Sequence, residues 1–92
     1  MNASVDVKVA ERGDSRIATV RVVQDGHRTE HRVTVMPEDL ARYGASDVKG
    51  LVHRSFVFLL GREPNTSILP EFRITDIEGF FPEYRKAIQK KS

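Results

Sequence analysis

Apolar and polar side chains alternate through the first third of the chain, and in the middle the apolar ones recur every three or four positions. Val5, Val7 and Val9 are separated by Asp6 and Lys8, the period-two pattern of a strand with one wet face. Glu11-Arg12-Gly13-Asp14 reads as a turn, and a β-branched run through Ile17, Thr19, Val20, Val22 and Val23 leads into Asp25-Gly26. That dipeptide suits the positive φ angles of a type I′ hairpin. A two-residue loop there pairs Val22 with Thr29, Val20 with His31 and Ala18 with Val33 on one face, and sets Arg21 against Glu30 on the other. The expectation is a three-stranded antiparallel meander over about residues 4–35, too small to be stable uncovered.

The remaining residues supply the cover. Pro37, Glu38 and Asp39 followed by Gly44 predict a short helix over about 37–43. Ser46 or Asp47 caps a longer helix over about 46–60, on which Val48, Leu51, Val52, Phe56 and Leu59 share a face while Lys49, His53 and Arg54 lie away from it. Gly61 is placed to end it. Val57 and Leu60 fall off the main stripe, which predicts a last turn buried on more than one side. Pro64 and Pro70 bound a segment expected to be an ordered loop held down by Ile68, Leu69, Phe72 and Ile74. Thr75 with Glu78 fits a capping box for a helix over about 76–81, and Pro82 opens a last helix over about 82–90. The fold class is therefore α+β, in a single domain spanning residues 1–92.

Charge and composition narrow the partners. The chain has 15 basic and 13 acidic residues, but Arg85, Lys86, Lys90 and Lys91 lie at its end, and without them the balance is 11 against 13. The basic character is a tail on a slightly acidic body, so phosphate contact through these four residues is the runner-up reading, behind their complementing a helix dipole. No apolar run approaches the ~20 residues that cross a bilayer, so no membrane partner is expected. Met1-Asn2-Ala3-Ser4 does not resemble a secretion signal, which makes the cytoplasm the expected location. With no Cys, disulfides, thiolate metal sites and cysteine nucleophiles are excluded.

Candidate chemistry is sparse. His27 and His31 with Glu30 invite a metal reading, but four residues of strand hold the two imidazoles roughly 13 Å apart, too far to share one ion. His53 has no carboxylate or nucleophile at a telling spacing, and no Gly-x-Ser-x-Gly elbow or phosphate loop is present. A small enzyme with His31 or His53 as base is the third reading; no catalytic residue, metal or cofactor is assigned. The Pro-bounded loop offers Arg62, Glu63, Asn65 and Ser67 as candidate binding residues, read first as tying the helix end to the loop and second as presenting a partner surface.

Phe56-Val57-Phe58-Leu59-Leu60-Gly61-Arg62-Glu63-Pro64-Asn65-Thr66-Ser67-Ile68-Leu69-Pro70-Glu71-Phe72, together with Phe80-Phe81-Pro82-Glu83-Tyr84, resembles a signature of a group of small uncharacterised bacterial proteins. The likeness runs from about Val33 to Ile88. It implies a bacterial origin and brings no activity, ligand or catalytic residue with it. The leading expectation is a non-catalytic, cytoplasmic protein-binding or regulatory module, able to self-associate as a homodimer through an exposed sheet edge.

Overall fold

The computed structural model describes residues 3–89. Three long antiparallel strands come first: β1 (Ala3–Arg12), β2 (Ser15–Gln24) and β3 (His27–Val35). The β2–β3 register is the expected one, with Val22 opposite Thr29, Val20 opposite His31 and Ala18 opposite Val33. It is fixed by the turn, where Asp25 and Gly26 both take positive φ, 52° and 81°. These angles give the connection a twist matching that of the strands. Arg21 and Glu30 face each other at 4.0 Å on the exposed side, a pair worth some tenths of a kcal/mol.

The sheet differs from the expected meander by one strand. Glu71–Arg73 forms β4, which runs parallel to β3 and makes a mixed sheet of order β1-β2-β3-β4. A three-residue strand has too few alternating positions to be read from sequence, and its partner lies some 40 residues earlier. Asn65–Ser67, upstream of it, is a single 3₁₀ turn. Backbone bonds from the Arg32 amide to the Pro70 carbonyl and from the Ile74 amide to the Thr34 carbonyl bracket β4. The segment between the prolines is thus ordered, as expected, and with β4 it covers part of the β3 edge. The outer strands are then β1, ten residues long, and the three-residue β4, whose outward Arg73 amide donates to Asp76 Oδ2 at 3.0 Å.

Helices pack on one face of the sheet. The first, α1 (Pro37–Arg42), starts at Pro37 and is followed by Gly44 at φ 63°. The second, α2 (Val48–Leu60), is capped by Asp47, whose carboxylate accepts from the Gly50 amide at 2.8 Å. Val48, Leu51, Val52, Phe56 and Leu59 are all buried, as the helical stripe required. Full burial of Phe56 alone contributes about 2–3 kcal/mol. The last turn is not enclosed all round: Val57 is 57% exposed because it shares the solvent side with His53 and Arg54. Gly61 ends the helix with φ −76°, a conformation open to any residue.

Of the final helices, α3 (Asp76–Phe80) is one residue shorter than expected, and α4 (Tyr84–Gln89) begins two residues after Pro82, with the expected end at residue 90 outside the described residues. The capping box at Thr75 does not form. Thr75 makes no side-chain cap bond, and the Glu78 carboxylate instead takes two bonds from Arg42, at 3.2 and 2.9 Å, and one from the Tyr43 hydroxyl at 2.8 Å. A bidentate guanidinium outcompetes one backbone amide for a carboxylate. A second cross-link joins α1 to β4. Asp39, 1% exposed, accepts from the Met36 amide at 2.8 Å and from Arg73 Nη2 at 3.0 Å, so it ties the helix start to the strand. Beneath these links Tyr84, Tyr43 and Phe58 stack edge to face, and the Tyr84 hydroxyl bonds Ser55 Oγ at 2.6 Å. No helix among the described residues is long and apolar enough to cross a membrane.

Candidate functional site

The C-terminal end of α2 opens into the segment that carries the four loop candidates, and the structure sends them to three places. Arg62 turns back over the Phe58 ring, 3.7 Å from its centroid, and donates to the Phe58 carbonyl and to Glu83 Oε2 at 3.1 Å. It staples α2 to the start of α4. The Glu83 carboxyl is held below the usual carboxylate range by its own backbone amide and then by Arg62.

Asn65 is a buried bolt. Its backbone amide donates to Gln24 Oε1 at 2.9 Å, and its side-chain Nδ2 donates to the His27 carbonyl and to Thr29 Oγ1, both at 3.0 Å. Because Thr29 Oγ1 accepts from Asn65, its proton is free for His31 Nε2 at 2.9 Å. His31 Nδ1 then carries hydrogen and donates to the Leu69 carbonyl at 2.8 Å. The chain of bonds from Asn65 through Thr29 and His31 to Leu69 anchors both ends of the loop to β3. It also occupies both ring nitrogens of His31, which packs against Phe56 at 5.3 Å, so no lone pair is available for proton abstraction.

Glu63 and Ser67 do converge. They stand on the wall of a cleft of about 310 Å³ between the end of α2, the loop, β4 and α3. Leu59, Ile68 and Phe72 form its floor, and Ile77 with the Phe80-Phe81 pair forms the opposite side. Phe80 is 66% exposed, the largest exposure among the large apolar side chains described. The Glu63 carboxylate makes no ion pair or hydrogen bond to another described residue, and burial against these apolar walls raises its pKa above the ordinary 4.5. A carboxylate partly dehydrated by apolar walls favours a cation brought next to it, because the pair is screened less there than in open water.

No protein-family model, curated protein or solved structure matches this chain. The reading of the cleft therefore rests on its own chemistry. It holds a carboxylate, a hydroxyl and apolar surface, without an imidazole or a second carboxylate, so it can hold an apolar group and a neighbouring cation and has no nucleophile and base in contact. No cluster of three His, Asp or Glu side chains that could hold a metal ion occurs among the described residues. His53 is exposed on the solvent side of α2 and does not line the cleft. A larger hollow of about 660 Å³ beside β1 is open and bordered by Lys8, Arg16, Asp47 and Lys49. Of the basic tail, Arg85 and Lys86 are exposed on α4, while Lys90 and Lys91 lie outside the described residues.

Phe72, Ile77 and Phe80 line the cleft although the sequence pattern does not mark them for binding. Their periodicity is broken by Pro70 and Pro82, and only the pairing of β4 with β3 brings Phe72 to the end of α2. The adjacent Phe80 and Phe81 were the available signal: on a short helix end, two neighbouring aromatics cannot both point into the same core.

Proposed function

We propose that the protein is a non-catalytic protein-binding module whose cleft takes the apolar side chain of an extended partner segment with a Lys or Arg beside it. The observation that carries this reading is the Glu63 carboxylate, raised in pKa and free of a cation among the described residues, on the wall of an apolar cleft lipped by the exposed Phe80. A partner Leu or Phe would cover Phe80 and Phe72, and the adjacent cation would meet Glu63 where the pair is screened less than in open water. The volume suits one large side chain and part of a second, consistent with a weak contact.

Capped tetrapeptides test this by NMR titration of labelled protein. A Ser-Leu-Lys-Ser peptide is expected to shift the amides of Glu63, Ser67, Phe72 and Phe80 with a Kd on the order of 1 mM, and Ser-Leu-Glu-Ser to bind at least several-fold more weakly. The Phe80→Ser variant should keep its fold, since Phe80 is mostly exposed, and lose the response. Equal binding of the two peptides, or shifts confined to another surface, would overturn the reading.

A further inference from the structure

The edge of the sheet opposite the cleft carries an independent inference. β1 is ten residues long, contains no Pro, and pairs on one side only, whereas the outer side of β3 pairs with β4 over Arg32, Val33 and Thr34. The direction of its free backbone groups is set by the ladder. Arg32 N and Thr34 O point to β4, so the odd-numbered residues of β3 bond to β2. Partner by partner through the register, the even-numbered residues of β1 bond to β2, and Val5, Val7, Val9 and Glu11 aim their amides and carbonyls out of the sheet.

We propose that β1 pairs antiparallel with β1 of a second copy of this chain, centred on Val7, to make a continuous eight-stranded sheet. Charge selects the register. With Val7 opposite Val7 of the second copy, Asp6 meets Lys8 and Lys8 meets Asp6, at positions without direct backbone bonds where facing side chains come closest. The two nearest registers that keep the helix-covered faces matched centre on Asp6 or on Lys8 and set like charges together. The same alignment places Val5 opposite Val9. Val9 belongs to the helix-covered face yet is 39% exposed at the free edge, and the second copy's Val5 would cover it. The outward amides of Val5, Val7 and Val9 would each gain an acceptor.

The test is oligomeric state by sedimentation together with amide exchange, on the full chain, between about 5 µM and about 500 µM. The expected result is a concentration-dependent dimer in which the amides of Val5, Val7 and Val9 become protected, while those of Asp6 and Lys8, already bonded to β2, do not change. Asp6→Lys and Lys8→Asp should each weaken the dimer by roughly tenfold or more, since each turns two attractive pairs into two repulsive ones. The double variant Asp6→Lys/Lys8→Asp should restore it. A monomer throughout the range overturns the proposal. So does a dimer that survives the single reversals, or one that the double variant fails to recover. Both positions are exposed, and circular dichroism of each variant separates lost pairing from lost folding. The cleft peptides bind at the other edge, so either reading can fail alone.

Discussion

Replacing Asn65 with Ala tests whether the loop is bolted to the sheet by one side chain. Two Nδ2 bonds of 3.0 Å, to the His27 carbonyl and Thr29 Oγ1, disappear, while the backbone bond to Gln24 is retained. Each lost bond is worth about 1 kcal/mol net, and the stranded, part-buried acceptors add a further ~1–2 kcal/mol, so the expected loss is about 3–4 kcal/mol. For a domain of this size each kcal/mol moves Tm by ~4–8 °C, which predicts a fall of some 12 °C or more. The assay is urea unfolding followed by far-UV circular dichroism, with amide exchange at Arg32, whose bond to Pro70 should open along with the loop. Thr66→Ala, at an exposed neighbour, serves as the control and should stay within about 0.5 kcal/mol of the parent. An Asn65→Ala loss no larger than the control's would refute the reasoning, because the bonds would then be replaceable by water.

Three further outcomes follow from buried or perturbed groups. Ser55→Ala leaves the Tyr84 hydroxyl buried without its 2.6 Å partner and should cost about 1–3 kcal/mol, and adding Tyr84→Phe should recover part of that loss in a double-mutant cycle. Glu63 has a raised pKa in the fold, so the folded protein binds its proton more tightly than the unfolded chain. Its charge therefore opposes folding above that pKa, and Glu63→Gln should stabilise at pH 7, with the gain vanishing as pH falls below 4.5 in urea titrations. Glu78 has the opposite sign: hydrogen bonds from Arg42 and then Tyr43 lower its pKa below 4.5, so its contribution is present above 4.5 and lost as pH falls through the folded value. Glu78→Gln should accordingly destabilise at neutral pH and converge with the parent in acid.

What could be read from sequence was whatever two neighbouring stretches decide between them. The β2–β3 register follows from a two-residue turn at Asp25-Gly26, and the α2 stripe from a period of 3.6, so both were legible without knowing where the rest of the chain lies. Elements settled by a distant partner were not. Glu78 sits three residues after Thr75, which suggests a cap, but Arg42, 36 residues away, reaches it with two donors. Asn65, read as a candidate binding side chain, is consumed by groups on β2 and β3 some 36 to 43 residues earlier. Val57 failed for a subtler reason: a fully apolar turn implies burial only if something packs on its far side, and in the described structure nothing covers it to that extent.

The pairing of the β3 edge over Arg32, Val33 and Thr34 and the cleft are two results of one event, the addition of β4 to β3. Parallel pairing of Val33 with Phe72 fixes which face of the short strand looks inward, and that face is the one that brings the Phe72 ring to 6.2 Å from Phe56. Once Phe72 is seated, Ile68 and Leu69 before it and α3 after it have little choice but to flank the end of α2, which is where Glu63 projects. Arg73, on the opposite face, reaches around to Asp39 and keeps the strand from peeling away. A perturbation that frees β4, such as Asp39→Ala, should therefore expose the β3 edge and dissolve the Glu63 site together, whereas a change at β1 should disturb neither. A ligand bound against Phe72, as proposed for the cleft, would stabilise only the paired form of β4 and so couple opening of that edge of the sheet to occupancy of the cleft.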